Sequence, residues 1–298
     1  MLSNAHRSTV DAVGGQPCAA AVRVGMLRVA GVGLLAVPAG ILIASGFGTG
    51  HPALYTVLLA SSSAALVLPI VDSLGLDGPH VLHLLPQVAI ADAVCIIALP
   101  IAVDLSHAGR SALGAAAVVA AAAVLFALLD HVERAGLRRR IQQVSEQRRF
   151  AVELRVNLVI LFALAALAVA THTSIMLAGF CFGLAVAAVG EPRRLAGQLF
   201  ALTEGFLGPL FFVWLGASLD IRALGARPRL VLLGGLLGLT AVGVHAVMRL
   251  SGQPLPMAGL AAAQLGLPVA AATIGTQTDL LVPGESAALM LGAGSRSP

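Results

Sequence analysis

The chain has 298 residues, of which 58% are hydrophobic and 11% are charged, and its mean hydropathy is +0.94. Soluble domains carry about a quarter charged residues, so this composition excludes a protein whose surface faces water on all sides. All 18 basic residues are arginines, which give a net charge of +4 but form no block long enough for a nucleic-acid-binding tail. The sequence therefore predicts an integral membrane protein without a nucleic-acid partner.

Apolar runs of about 17–25 residues, the length of a helix that crosses a bilayer, indicate the membrane spans. In chain order they are Val29–Ser45, Ala53–Val71, His80–Val103, Ser111–Asp130, Val152–Ala170, Ser174–Gly190, Ala201–Ser218, Leu230–Met248, Met257–Thr276 and a short tenth run, Glu285–Gly294. The predicted fold class is all-α and polytopic, with about nine to ten transmembrane helices. Residues 1–28 are predicted to be a cytoplasmic segment, residues 29–298 the transmembrane domain, and residues 131–153 a basic cytoplasmic loop within it.

The arginines predict the orientation of these spans. If the N-terminus lies in the cytoplasm, the spans leave 14 arginines inside, Arg296 among them, and four outside. Cytoplasmic loops of membrane proteins carry an excess of basic residues. We therefore expect a multi-pass protein of the cell membrane with a cytoplasmic N-terminus. The outer cluster of Arg222, Arg227 and Arg229 is the local exception.

Two predicted spans contain residues that break helices. The second span, "LLASSSAALVLPIVD", has three consecutive serines before a proline, and the ninth, "AAQLGLPVAAATIGTQTD", has a glycine and a proline at its middle. A single Gly or Pro in a membrane helix is more often a simple kink, but non-helical backbone at membrane depth is tolerated where it is buried or lines a wet cavity. Two such segments in opposite parts of a chain indicate an ion or substrate site. The predicted site residues of these segments are Ser61, Ser62, Ser63, Pro69, Gly266, Pro268 and Thr273.

Asp92 is the candidate coupling residue, because it lies inside the apolar run "QVAIADAVCIIALPIAVD". A carboxylate in the middle of a membrane helix costs on the order of 2.5–3.5 kcal/mol or more, and such residues usually mark ion or proton pathways. The alternative is a buried acid that only bonds a neighbouring helix. Carboxylate, hydroxyl and carbonyl oxygens are the ligands that sodium and potassium prefer, and one carboxylate that binds either a cation or a proton is sufficient for antiport.

The chain contains, in order, "SSSAALVLPIVDSLG", "QVAIADAVCIIALPIAVD", "LAGFCFGLAVA", "LTEGFLGPLFFVWLGASLDI" and "AAQLGLPVAAATIGTQTDLLVPGESAALML". This set resembles the monovalent cation:proton antiporters of the sodium/proton and potassium/proton exchanger superfamily, from about Val29 to the C-terminus. The resemblance implies an inverted-repeat fold in which two broken helices, here Ala60–Pro69 and Gln264–Thr273, cross each other. It also implies that Asp92 binds the cation and the proton in competition, in a transporter that needs a lipid bilayer but no cofactor and no further metal.

The sequence departs from the family pattern in two respects. Family members usually have Asp or Asn immediately before the coupling aspartate, whereas this chain has Ala91. With one carboxylate at the site, electroneutral exchange is the simpler expectation. The resemblance further implies a chain shortened at its N-terminus and in its last helix. Because the leading helices contribute to a dimer scaffold in the family, it leaves a homodimer open.

Three alternatives to an active antiporter follow from the sequence. The first is a truncated or degenerate member of the same fold that does not transport. A membrane enzyme would show paired acids or a His/Cys cluster at one membrane surface, and the sequence has neither, so no enzyme is expected. A channel is the third alternative, although one buried acid and two broken helices suit exchange better than a permeation ring. Sodium and potassium use the same oxygen ligands, so the sequence does not distinguish them.

Overall fold

The computed structural model describes residues 16–103, 108–134, 152–171, 173–189, 193–218, 221–278 and 280–296. Within these ranges the chain forms helices joined by short turns, and no strand occurs in them. The backbone divides into two compact units, one formed by residues up to Val103 together with those from Asp220 onward, the other by Asp104–Leu219.

The first unit holds both broken spans. Its helices are α1 (Gln16–Phe47), α2 (Pro52–Ala60), α3 (Ala64–Ser73), α4 (Pro79–Val103), α10 (Ile221–Ala226), α11 (Pro228–Ala246), α12 (Leu255–Ala262), α13 (Gly266–Gln277) and α14 (Glu285–Gly294). A 3-10 turn, Val247–Ser251, extends α11.

The second unit is built from helices in the middle of the chain. They are α5 (Ala108–Arg134), α6 (Val152–Ala170), α7 (Ile175–Val189), α8 (Arg193–Leu202) and α9 (Gly208–Ser218). The first three pack against one another, and a π-helical turn, Thr203–Leu207, joins α8 to α9. Of the predicted loop 131–153, residues 135–151 lie outside the described residues, and α5 continues to Arg134.

Helix length and hydropathy confirm an all-α polytopic membrane protein. Five described runs are long and apolar enough to cross a membrane: Ala19–Phe47, Pro52–Ser73, Pro79–Val103, Pro228–Ser251 and Leu255–Thr276. Three shorter apolar helices belong to the second unit: Ala112–Leu128, Leu154–Ala170 and Ile175–Val186. Many large side chains of these helices remain exposed, among them Leu34, Leu42, Val159 and Leu239, as expected where lipid covers the surface.

The first helix begins earlier than the sequence predicts. The predicted span starts at Val29, after three arginines, whereas α1 begins at Gln16. Arg28 does not end the span, because its side chain is buried at 4% exposure. Its Nε donates to the hydroxyl of Ser251 at 3.0 Å and its Nη2 donates to the Ser251 carbonyl at 3.3 Å. A guanidinium with bonded partners lies inside the helix, so the boundary between residues 28 and 29 is not a helix end.

A cluster of aliphatic residues holds both broken spans against α4. The cluster comprises Val67 and Val71 of α3, Val81, Leu84 and Val88 of α4, and Ala261 of α12. These side chains are buried at 9% exposure or less. The interior of the unit therefore places α3 and α12 on the helix that carries Asp92.

Glycines allow α11 and α14 to approach each other closely. A Cβ added to Gly234 would lie 2.6 Å from the Ala288 carbonyl oxygen, and one added to Gly292 would lie 2.9 Å from the Gly234 carbonyl oxygen. Small residues spaced four apart, such as Gly234 and Gly238, allow membrane helices to pack backbone against backbone. This contact fixes α14 in the first unit.

We predict that Gly234→Ala destabilises the protein, whereas Gly235→Ala on the same helix does not. The Cβ of the first variant meets a backbone atom, and overpacking of this kind costs about 1–3 kcal/mol. A Cβ on Gly235 has no atom within 4 Å. Thermal unfolding in detergent should give a midpoint lower by about 2–8 °C for Gly234→Ala alone. Equal midpoints for the two variants would contradict the close helix contact.

Candidate functional site

The first break is formed by the three serines. α2 ends at Ala60 and α3 begins at Ala64, and Ser61 and Ser63 between them have extended backbone. The hydroxyl of Ser61 donates to the Leu58 carbonyl at 2.8 Å. Serine side chains compete with the helix for backbone partners in this way, so they favour helix ends.

Pro69 lies within α3, six residues beyond Ser63, and the helix continues through it. The second span is interrupted as expected, but the interruption lies at Ser61–Ser63 and not at Pro69. The break precedes the proline because the serine hydroxyls supply local partners. Pro69, the sixth residue of α3, removes one backbone donor within the helix but does not end it.

The second break lies between α12 and α13. Ala263 is extended, and α13 begins at Gly266. Pro268 is the third residue of α13 and so lies in its first turn, where backbone N–H groups have no partner within the helix. Gly266 and Pro268 therefore start the second half of the broken helix, and the break itself lies just before them.

The two breaks are hydrogen-bonded to each other. The hydroxyl of Ser62 donates to the carbonyl of Ala261, and Nε2 of Gln264 donates to the carbonyl of Ser62 at 2.7 Å. Oε1 of Gln264 accepts from the N–H of Leu265 at 2.8 Å. Ser62 and Gln264 are buried, at 0% and 1% exposure. Each break thus supplies partners for backbone groups that the other leaves outside a helix, as burial requires.

Asp92 lies beside the first break. It is half-buried on α4, and its Oδ2 accepts a hydrogen bond from the N–H of Ala64 at 3.1 Å. Ala64 is the first residue of α3, and a carboxylate is stabilised at a helix N-terminus by the unpaired N–H groups and the helix dipole. In the described part of the chain Oδ1 makes no hydrogen bond.

The predicted site residues do not all meet at Asp92. Ser62 and Ser63 lie in the first break, directly before Ala64, whose N–H donates to Asp92. The structure therefore brings these two serines close to Asp92. The hydroxyl of Thr273 donates instead to the Val269 carbonyl of its own helix at 2.8 Å. Helix α13 packs against α4, but no hydrogen bond among the described residues joins Thr273 to Asp92.

Arg296 is a site residue that the sequence analysis misses. The orientation count places it among the cytoplasmic arginines, but it is buried at 6% exposure. Its Nη1 donates to the carbonyl of Leu58 at 3.0 Å and its Nε donates to the carbonyl of Gly292 at 3.0 Å. Leu58 lies in the last turn of α2, where carbonyl groups carry partial negative charge. The break therefore has a carboxylate at one helix end and a guanidinium at the other.

A second buried carboxylate belongs to Glu285, at the start of α14. It is fully buried, and it accepts hydrogen bonds from Tyr55 and from the backbone of Val282. In the sequence this residue stands only at the start of a short apolar run. A glutamate at the beginning of an apolar helix is common on surfaces, so only its burial distinguishes it.

Comparison with known proteins assigns the family. The model of the transmembrane sodium/hydrogen exchanger family matches residues 15–292. Comparison with curated proteins gives no match. The family match spans both broken helices, Asp92 and α14 as far as residue 292. The chain therefore belongs to the sodium/hydrogen exchanger family, whose members are transporters that exchange cations for protons across membranes.

Proposed function

We propose that this protein exchanges sodium or potassium for protons across the cell membrane, and that the two ions compete for Asp92. The carboxylate of Asp92 lies at the N-terminus of α3, next to the point where two broken helices meet, with one of its oxygens free of hydrogen bonds in the described structure. This arrangement is the observation that carries the proposal.

A dehydrated monovalent cation requires several oxygen ligands, and the break is rich in them. Besides Asp92, the hydroxyls of Ser61, Ser62 and Ser63 and the carbonyls of the non-helical segment provide such oxygens. A hydroxyl that donates its hydrogen to a carbonyl keeps its lone pairs for a cation. Thr273 is a further candidate on the same basis, since its hydroxyl also donates to a carbonyl.

Proton binding and cation binding oppose each other at this carboxylate. Protonation removes the negative charge that attracts the cation and weakens the charge-assisted bond from the N–H of Ala64. Cation binding neutralises the same charge and favours loss of the proton. Ala91, which is buried beside Asp92, provides no second acid, so one proton is exchanged for one cation.

We further propose that the N-terminus lies in the cytoplasm, as the arginine distribution favours. The outer exception has a structural explanation. Nη1 of Arg227 donates to the Pro283 carbonyl at 2.9 Å, and Nη2 of Arg229 donates to the Gly46 carbonyl at 2.9 Å. The Arg229 guanidinium also lies 5.6 Å from the centre of the Phe47 ring. These side chains join helix ends, so they are retained for packing despite the orientation rule.

Asp92→Asn tests the coupling site. The amide keeps the size and the hydrogen bonding of the side chain but cannot exchange a proton, so cation-induced proton release from everted vesicles should be lost completely. Asp92→Glu should retain some exchange with a shifted pH profile. The matched control is Asp72→Asn at the exposed end of α3, which should exchange like the unmodified protein.

Equal exchange by Asp92→Asn and the unmodified chain would place the coupling site elsewhere. If the unmodified chain itself exchanges neither sodium nor potassium at any pH, the protein is a non-transporting member of its family. The hydrogen-bonded breaks speak against that alternative, because the candidate site is intact.

Cysteine labelling tests the orientation. In a chain freed of Cys18, Cys95 and Cys181, a cysteine replacing Asp77 should be protected from an impermeant reagent added to intact cells. A cysteine replacing Arg222 should react. Asp77 and Arg222 are both exposed and lie at opposite ends of the first unit. The reverse labelling pattern would invert the proposed topology.

A further inference from the structure

Glu285 is the centre of a hydrogen-bonded cluster at the end of the first unit that carries the turn between α1 and α2. Its Oε1 accepts from the hydroxyl of Tyr55 at 2.6 Å and lies 3.1 Å from Nδ1 of His51. Its Oε2 accepts from the N–H of Val282 at 3.0 Å. Glu285 and Tyr55 are fully buried, whereas the side chain of His51 is 17% exposed. One carboxylate thus joins residues before and within α2 to the start of α14.

The charge of this cluster depends on His51. Burying a carboxylate is costly unless it is hydrogen-bonded and paired with a cation. Arg227 and Arg229 begin α11 at the same end of the unit, but their guanidinium groups donate to backbone carbonyls. Among the described residues, His51 is the one ionisable partner, besides the tyrosine, that contacts Glu285. A histidine gains and loses its charge near neutral pH, so the carboxylate has a full counter-charge only while His51 is protonated.

The position of the cluster connects it to the broken helix. His51 directly precedes α2, Tyr55 lies in its first turns, and Ser61 follows its last residue. At 1.5 Å per residue the cluster lies about 15 Å from the break along the same half-helix. The turn before His51 contains Gly48 and Gly50, with φ of 68° and 77°. Only glycine adopts such backbone readily, so the chain reversal that brings His51 to the start of α2 depends on these two residues.

We propose that Glu285, Tyr55 and His51 form a second proton-binding site, separate from Asp92, which locks half-helix α2 to α14 when His51 is protonated. Its effect on exchange rests on the proposed antiport function, whereas the lock itself does not. A locked α2 holds the serine break in one position, so exchange slows when the lock is closed.

The direction of the pH dependence follows from the hydrogen bond. The bond to Glu285 raises the pKa of His51 above its ordinary value, and partial burial opposes this only in part. A group whose pKa is raised by folding stabilises the folded protein below its ordinary pKa, and this contribution is lost as the pH rises through the raised pKa. The lock is therefore strongest at acidic pH and is weakened at alkaline pH, where the bond from Tyr55 remains but the charge of His51 is lost.

Thermal unfolding of the full chain in detergent, measured between about pH 5 and pH 9, tests the lock without transport. The unmodified protein should lose stability as the pH rises through the raised pKa, and His51→Gln should lack this step. The control, His80→Gln, replaces an exposed histidine at the other end of the unit and should keep the step. An unchanged step in His51→Gln would overturn the proposal.

A nuclear magnetic resonance titration of ¹³C-labelled histidine measures the same site directly. The signal that is absent from the spectrum of His51→Gln belongs to His51. The Tyr55→Phe variant retains the Glu285 carboxylate, so the titration midpoint of His51 should remain raised in it. Glu285→Gln should lower that midpoint, because the bond that raises the pKa of His51 is lost. If Glu285→Gln does not fold, His51→Gln and Tyr55→Phe still test whether the pKa of His51 is raised in the folded protein. A His51 midpoint at or below the ordinary value in the unmodified chain would contradict the lock.

Exchange by everted vesicles then separates the lock from the coupling site. His51→Gln should exchange ions at acidic pH several-fold faster than the unmodified chain, while Asp92→Asn is inactive at every pH. If the unmodified chain is inactive, the antiport proposal fails and the unfolding and titration results still test the lock. If His51→Gln is active and its pH profile equals that of the unmodified chain, the lock does not govern the rate of exchange.

Discussion

The arrangement of the first unit depends on one constraint, namely that backbone groups released from a helix inside a membrane need partners within the protein. Two interrupted helices satisfy this constraint jointly. The side chain of Ser62 donates to the carbonyl of Ala261, and the side chain of Gln264 donates to the carbonyl of Ser62. Asp92 accepts a hydrogen bond from the first N–H of α3. Neither interrupted helix would be stable alone at this depth. The meeting point of the two breaks is therefore both a requirement of the fold and the place where polar atoms are available to an ion.

The helix ends at the first break also explain its charged neighbours. Interrupting a helix creates a C-terminus with partial negative charge and an N-terminus with partial positive charge. Arg296 donates to the carbonyl of Leu58 near the first end, and Asp92 accepts from Ala64 at the second. Each charge is stabilised by the helix end that it faces, which reduces the cost of burying it. In the proposed exchange, a proton or a cation on Asp92 would remove the counter-charge of the positive end of α3 and so change the balance of forces on that half-helix.

The sequence predicts the membrane class, the two broken spans and the candidate acid, because these depend on local composition. The apolar runs give span positions, and serine clusters and Gly-x-Pro have specific effects on nearby backbone. The start of α1 at Gln16, well before Arg28, is not predictable in this way, because burial of that arginine requires Ser251 from a distant part of the chain. The position of the break relative to Pro69 depends similarly on which backbone groups find partners after folding. Arg296 and Glu285 have side chains of ordinary surface type, and only the packing of α14 buries them.

Among the described residues of the first unit, Asp92 and Glu285 differ in the number of donors that surround their carboxylates. Asp92 is half-buried and accepts one backbone hydrogen bond from the described residues, which suits the ion-binding role proposed for it. Glu285 is fully buried and has three polar partners on its two oxygens, which leaves little room for a dehydrated ion. An acid that must release its ligand in every cycle requires the first environment, since each fixed donor competes with the transported ion. The second environment instead holds structural elements together, and the pH response proposed for it depends on His51, the partner that changes charge near neutral pH.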